Sequence, residues 1–247
     1  MSPEMPGTLI DDCRTLLTER PDLAALTGLS GTDCAGFADL AGALLGHVAG
    51  RPAIGEAVRA AYGDPALAGI SAYDITESAR RNFEPGGPVA ALLFSRGVHA
   101  VMAHRAAHRI WTGGDAMRAL AVHSALSRAL GTDIHPGAVI GRGLWLDHGL
   151  GCVIGETAVI GENVSIWHNV TLGSTLNDSG PTRHPRIGAG AVIGAGATIL
   201  GNIKIGVGAN IGAGAVVLAD VPDAMTVAGP RGAVRGPARV SFAPGRS

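Results

Sequence analysis

The stretch that decides the fold runs from residue 187 to residue 217 and reads IGAGAVIGAGATILGNIKIGVGANIGAGAVV. An aliphatic residue recurs at every sixth position, from Ile187 to Val217. This period fits neither an α-helix, which repeats every 3.6 residues, nor one long strand, which repeats every 2.0. It predicts short strands joined by tight corners, with one aliphatic side chain from each strand on the axis of a solenoid.

The same period extends toward the N-terminus of the chain. The earlier aliphatic positions are Ile134, Ile140, Leu146, Ile154, Ile160, Ile166 and Leu172. Three six-residue units close one triangular coil, so we predict a left-handed parallel β-helix of hexapeptide repeats over residues 131–221. A polar loop at 173–186 interrupts it, and residues 222–247 form a C-terminal tail. The density of glycine argues against a bundle of helices in this half.

The first half of the chain has a different pattern. Residues 1–130 contain stretches rich in Ala, Leu and Arg, such as Val89–Trp111 and Asp115–Leu130, which Gly and Pro interrupt. Asp115 is a plausible N-cap for the last helix, and Gly131 is a plausible stop. The predicted fold class is therefore α+β, with an N-terminal α-helical domain followed by the β-helix.

Composition excludes several classes of function. The 247 residues carry a formal net charge of −1, which gives no electrostatic reason to expect a nucleic acid or an anionic membrane as partner. The opening residues MSPEMPGTLIDDCR lack the pattern of a signal peptide. Cys13, Cys34 and Cys152 lie far apart, so we expect neither a disulfide framework nor a cysteine-based zinc site, and a cytoplasmic location fits.

His148 is the best candidate for a catalytic base. It follows Asp147 in the segment LWLDHGLG, two residues after the axis position Leu146. Its side chain can therefore leave the solenoid core. A base at such a position can take a proton from a hydroxyl group during acyl transfer.

Five motifs together resemble one family. They are DIHP (133–136), LDH (146–148), IGETA (154–158), VTLG (170–173) and RHP (183–185). In this combination they are similar to serine O-acetyltransferase, a hexapeptide-repeat acyltransferase that makes O-acetylserine for cysteine biosynthesis. The similarity covers about Leu92 to Gly229. It implies acetyl-CoA as co-substrate, L-serine or a related hydroxy amino acid as acceptor, and no metal. It also implies a homotrimer, and two such trimers would pair through their helical domains if the protein forms a hexamer.

The resemblance also implies roles for individual residues. His148 would deprotonate the acceptor hydroxyl, and Asp133 would hold its imidazole as in a His-Asp dyad. The positions that match acceptor-binding residues are Asp147 for the amino group, Arg183 and His184 for the carboxylate, and Glu156 and Asn82 nearby. The positions that match the CoA channel, which lies between subunits in the family, are Gly173, Ser174, Thr175, Gly194 and Ala195. Two alternatives stay open: Asp133 as a turn residue and Arg183 as a solvated loop charge.

The sequence departs from the family on the acceptor side. The family's Asp-Pro-Ala segment falls on Asn82-Phe83-Glu84, and its Ala-Thr after LDH falls on Gly149-Leu150. The resemblance implies that the family Asp at this position helps to hold the substrate ammonium group. Asn82 can accept a hydrogen bond there but brings no charge. This favours the hypothesis of a changed acceptor, such as homoserine, D-serine, a modified serine or an amine in specialised metabolism. The end of the chain, VSFAPGRS, lacks the terminal Ile of members that dock into cysteine synthase, so we expect no such complex.

Two other functions compete with acyl transfer. A zinc hydro-lyase of the γ-carbonic anhydrase type would need three histidines, and His148, His168 and His184 have a spacing unlike that family's. A non-catalytic solenoid would leave Asp133, His148 and Arg183 unexplained. His104 and His108 are four residues apart on a predicted helix, where packing is a better account than metal binding.

Overall fold

The structure, a computed structural model, describes residues 6–175, 180–229 and 231–234. It confirms the predicted fold class, a helical region followed by a left-handed parallel β-helix. The helices are α1 (Pro6–Glu19), α2 (Pro21–Thr27), α3 (Phe37–Ala49), α4 (Pro52–Tyr62), α5 (Pro65–Asn82), α6 (Gly87–Phe94), α7 (Arg96–Thr112) and α8 (Ala116–Leu130), with a short 3₁₀ helix at Gly31–Cys34. Among the described residues, no helix combines the length and the apolar character that crossing a bilayer needs.

Capping side chains set two of the helix boundaries. The Asp115 carboxylate accepts a hydrogen bond from the Arg118 N–H at 3.0 Å, as an N-cap does. The predicted stretch Val89–Trp111 is not one helix, because the backbone at Ser95 is extended and its hydroxyl accepts the Val98 N–H at 3.4 Å. The chain therefore turns between α6 and α7, and this turn faces the site described below.

Within the described residues, fourteen short strands build the solenoid. They are β1 (Asp133–Ile134), β2 (Val139–Ile140), β3 (Trp145–Leu146), β4 (Val153–Ile154), β5 (Val159–Ile160), β6 (Ser165–Ile166), β7 (Thr171–Gly173), β8 (Arg186–Ile187), β9 (Val192–Ile193), β10 (Thr198–Leu200), β11 (Lys204–Ile205), β12 (Asn210–Ile211), β13 (Val216–Val217) and β14 (Thr226–Val227). They form three parallel sheets, ordered β1-β4-β7-β10-β13, β2-β5-β8-β11 and β3-β6-β9-β12-β14. Each sheet is one side of a triangular prism.

The six-residue period corresponds to a continuous apolar core. All thirteen predicted axis positions point inward, and none is more than 7% exposed. Parallel pairing stacks them in register, as Ile134 on Ile154 and Ile154 on Leu172. Burial of this aliphatic column, at about 25 cal/mol per Å² of apolar surface, is the main force that holds the coils together. Cys152 is also fully buried.

One predicted boundary is wrong. The sequence predicts a tail over residues 222–247, yet β14 lies in this segment and pairs with β12, with Asn210 opposite Thr226. The hexapeptide pattern missed this strand because its inward residue, Val227, does not continue the period from Val217. The terminal segment VSFAPGRS and part of the predicted loop, residues 176–179, lie outside the described residues.

A buried ion pair docks the helices on the solenoid. The Arg105 Nε of α7 lies 3.0 Å from Asp74 Oδ2 of α5, and both side chains are nearly inaccessible to solvent. Arg105 also donates to the carbonyl oxygens of Ile140 and Gly141, and Asp74 accepts the Gly143 N–H at 2.6 Å. The two charges thus pair with each other, and both side chains also bond backbone groups of the solenoid.

Candidate active site

His148 lies at a tight corner of the first coil. The Gly149 N–H donates to the Asp147 carbonyl at 2.7 Å, and His148 between them has φ +58°. A left-handed conformation is uncommon for residues with a Cβ, and such strain concentrates at functional sites. The corner turns the imidazole out of the core, and the side chain is 73% exposed. The structure thus places the predicted base where a substrate can reach it.

Asp147 is the carboxylate next to that imidazole. Its Oδ1 lies 3.7 Å from His148 Nε2, and its side chain is only 15% exposed. The separation is too long for a hydrogen bond. The two atoms are close enough for one small polar ligand in the pocket to contact both side chains. His168, one coil further along, has its ring centroid 6.2 Å from that of His148.

The predicted contact between Asp133 and His148 is not formed within the protomer. Asp133 Oδ1 instead lies 3.2 Å from His123 Nε2, and His123 Nδ1 lies 3.0 Å from the Ser127 hydroxyl. Burial lowers the pKa of His123, an effect that the charge of Asp133 partly opposes. The sequence could not reveal this contact, because it joins α8 to the first coil through tertiary packing.

A pocket of about 280 Å³ opens beside His148. Its walls come from α5, from the turn between α6 and α7, and from β3: Ser78, Asn82, Glu84, Ala91, Phe94, Ser95, Arg96, Trp145, Leu146, Asp147 and His148. The predicted residues Asn82, Asp147 and His148 therefore share one cavity. Glu84 and Arg96 were not predicted, and nothing in the periodicity marks them.

A second group of predicted residues surrounds Thr157. The Arg183 guanidinium donates to Glu156 Oε2 at 2.6 Å, and this hydrogen bond is the largest of the effects that lower the pKa of Glu156. The Thr157 N–H donates to His184 Nδ1 at 3.1 Å, and the Thr157 hydroxyl lies 2.8 Å from the same nitrogen. In the neutral ring, acceptance at Nδ1 places the proton on Nε2. Thr157 was also missed, although it lies within the IGETA motif.

The two groups lie on different edges of the prism. The His148 edge is the corner between the third and first sheets, and it also carries Gly194 and Ala195 after β9. The Arg183 edge is the corner between the first and second sheets, and it carries Glu156 together with residues 173–175 at the end of β7. The predicted site residues of one protomer therefore do not converge on a single cavity.

The histidines named for other roles are spread through the fold. His104 is buried and its ring stacks on that of His108, with centroids 5.5 Å apart, in keeping with a packing role. His184 lies on the Arg183 edge, away from the corner that carries His148 and His168. In the described part of the chain, no three His, Cys, Asp or Glu side chains are grouped closely enough to hold one metal ion.

Comparison with known proteins identifies the family. Residues 184–219 match the family described as bacterial transferase hexapeptide (six repeats). The serine acetyltransferase of Salmonella typhimurium is 44% identical over 194 residues, which are 78% of this chain and 68% of that protein. Serine acetyltransferase 2 of Arabidopsis thaliana is 56% identical over 139 residues, which are 56% of this chain and 43% of that protein. The chain spans about half the length of the plant relatives it matches, 40–55%.

Solved structures agree with the sequence relatives. The serine acetyltransferase of Neisseria gonorrhoeae in complex with serine is 37% identical, with a TM-score of 0.82 over 92% of this chain and 95% of that one. A serine acetyltransferase in complex with CoA is 34% identical, with a TM-score of 0.79 over 90% of this chain and 94% of that one. On the identity and coverage of these relatives, the chain belongs to the serine acetyltransferase family.

Proposed function

We propose that this chain transfers the acetyl group of acetyl-CoA to the hydroxyl of L-serine, with His148 as general base. The observation that carries the proposal is the pocket in which the imidazole of His148 and the carboxylate of Asp147 face one another across 3.7 Å. Vicinal amino and hydroxyl groups of one small acceptor can contact both. Solved relatives that hold serine and CoA support the same substrates.

The reaction follows from these positions. The imidazole takes the proton of the serine hydroxyl while the hydroxyl oxygen attacks the thioester carbonyl carbon. The C–S bond of the tetrahedral intermediate then breaks, and the imidazolium returns the proton to the departing CoA thiolate. Backbone groups at 173–175 and at Gly194–Ala195 line the path of CoA in this proposal. The products are O-acetylserine and free CoA.

Asp133 is the proposed orienting partner of His148. The Gly151 N–H donates to the Gly131 carbonyl at 2.7 Å. This hydrogen bond holds the corner that carries His148 directly against the start of β1. Asp133 uses one carboxylate oxygen for His123, and its side chain is 65% exposed. In this proposal the exposed His148 ring turns so that Nδ1 donates to the second oxygen. Asp133→Asn should then lower kcat while the KM values change little.

The complete site requires two protomers in this proposal. The acceptor pocket lies on the His148 edge, and Arg183 lies on a different edge of the same protomer. In a ring of three protomers, the His148 edge of each protomer can therefore contact the Arg183 edge of the next. Arg183 and His184 of that neighbour would receive the serine carboxylate, for which a guanidinium is chemically suited. The pairing of two trimers through the helical domain stays a prediction. We propose a reducing, cytoplasmic location, in which the three buried cysteines stay free thiols.

Release of free CoA tests the activity. Acetyl-CoA is supplied with L-serine, D-serine or L-homoserine, and His148→Ala is the control. We expect L-serine to be the best acceptor and His148→Ala to lower kcat by about 10² to 10⁴. No CoA release with L-serine, or full activity of His148→Ala, would refute the proposal.

Mixed oligomers test the shared site. His148→Ala and Arg183→Ala would each be inactive alone. After unfolding and refolding together in equal amounts, about one quarter of the interfaces of a trimer would pair an intact His148 edge with an intact Arg183 edge. Activity should return to about that fraction. Mixtures as inactive as the separate variants would contradict a site shared between protomers.

A further inference from the structure

Glu84 lies beside the position that the sequence marked as lacking a charge. The helix α5 ends at Asn82, and Phe83 follows in a left-handed conformation with φ +50°. This reverses the chain, and the Glu84 N–H then donates to the Ala79 carbonyl at 3.0 Å. As a result the side chains of Asn82 and Glu84 meet, and the Asn82 amide donates to Glu84 Oε2 at 2.6 Å.

The surroundings of Glu84 leave its charge available to a ligand. Its side chain is half-buried in the wall of the pocket that holds His148 and Asp147. None of the described basic side chains forms an ion pair with it, and Arg96 in the same wall donates instead to the Leu130 carbonyl at 3.2 Å. A carboxylate held by one amide in a partly enclosed cavity gains most from a cationic ligand.

The local conformation is itself costly. A left-handed residue with an aromatic side chain costs roughly 1–2 kcal/mol, and Phe83 offsets none of this by burial because it is 90% exposed. A glycine at this position would avoid the strain. The chain nevertheless holds Glu84 in the pocket through this turn, which indicates that the position of the carboxylate has a use.

We propose that Glu84, which lines the same pocket as Asp147, binds the ammonium group of the acceptor, and that Asn82 is a positioning residue that holds the Glu84 carboxylate. The inference rests on the proposed function and names the residue that selects amino-bearing acceptors in this chain. It replaces the expectation that Asn82 leaves the pocket without its second carboxylate. It also removes the main reason to expect an acceptor other than serine.

The test compares two acceptors that differ only by the amino group, L-serine and 3-hydroxypropionate. Binding of each is measured by calorimetry without acetyl-CoA, and turnover is measured with it. For Glu84→Gln we expect L-serine affinity and kcat/KM to fall by about 10- to 100-fold, as loss of a charged hydrogen bond predicts, with 3-hydroxypropionate little changed. The KM for acetyl-CoA should not move. Glu56→Gln, an exposed carboxylate on α4, is the matched control.

A rescue variant separates charge from shape. Asn82→Asp/Glu84→Gln returns a carboxylate to the pocket with the hydrogen bond reversed, and we expect it to recover most of the discrimination. Equal loss of both acceptors in Glu84→Gln, or unchanged L-serine affinity, would overturn the inference. If the parent protein binds L-serine without turnover, the proposed function fails and the calorimetry still decides the role of Glu84. If the parent protein does not bind L-serine, both fail.

Discussion

The buried pair between α5 and α7 predicts a large effect from one substitution, Arg105→Leu. The change removes a guanidinium that is 6% exposed and leaves the Asp74 carboxylate, 4% exposed, without its counter-ion. It also leaves the carbonyls of Ile140 and Gly141 without a donor. Burial already raises the pKa of Asp74, and the charge of Arg105 opposes that shift. Without Arg105 the carboxyl would take up a proton more readily, which limits the penalty.

Loss of one partner from a buried pair costs about 3–5 kcal/mol. For a chain of this size about 1 kcal/mol corresponds to roughly 2–4 °C, so the melting temperature should fall by about 6–20 °C. Calorimetry at pH 7 and constant protein concentration measures this, since the Tm of an oligomer depends on concentration. The matched control is Arg109→Leu, one turn further along α7, whose pair with Asp64 is 48% and 36% exposed.

The control should lose no more than about 1 kcal/mol, because exposed pairs contribute little. Asp74→Leu/Arg105→Leu should recover part of the stability lost in Arg105→Leu, since no buried charge remains. Recovery would be incomplete, because the Gly143 N–H and two carbonyls still lack partners. Equal Tm losses in Arg105→Leu and Arg109→Leu would refute the view that this pair holds the helices on the solenoid.

Three further substitutions test other parts of the structure. In Gly155→Ala the new Cβ would overlap the His184 ring, so KM for L-serine should rise while KM for acetyl-CoA stays constant in steady-state kinetics. In Gly97→Ala the Cβ would overlap the Leu146 carbonyl oxygen, and denaturant titration should show a loss of about 3 kcal/mol, the upper end of the usual cost of overpacking. Burial lowers the pKa of His104 well below its ordinary value, so the unfolded chain takes up the proton first and stability falls as the pH drops below about 6.5. His104→Phe should flatten that fall by up to about 1.4 kcal/mol per pH unit in melts between pH 7 and 5, and an unchanged slope would contradict the assignment.

The solenoid could be predicted because its fold depends on a short sequence pattern that repeats. The thirteen axis positions are all buried because each hexapeptide repeats the same strand and corner, so sequence alone determines which side chain points inward. The helical half was predictable in class but not in detail. The break at Ser95 depends on a hydroxyl cap within a run of apolar residues, and the pairing of Asp74 with Arg105 depends on how two helices cross the first coil.

The acceptor pocket shows where sequence matching failed. In a match without gaps, Asn82 takes the place of the family Asp. Glu84 is two residues further on, and only the left-handed turn at Phe83 returns it to the pocket. No propensity predicts a phenylalanine at positive φ. A position that looks changed in charge can thus keep its chemistry through a neighbouring side chain.

Unlike the position of Glu84, the division of the site between two edges can be predicted from the spacing of the hexapeptide repeat. His148 lies two residues after the axis position Leu146, and Glu156 lies two residues after the axis position Ile154. They occupy the same place in successive units, and successive units occupy successive sides of the prism. Side chains at equivalent corners point away from one another and cannot share a substrate within one protomer. If both serve the same reaction, the register of the repeat already requires a second copy of the chain.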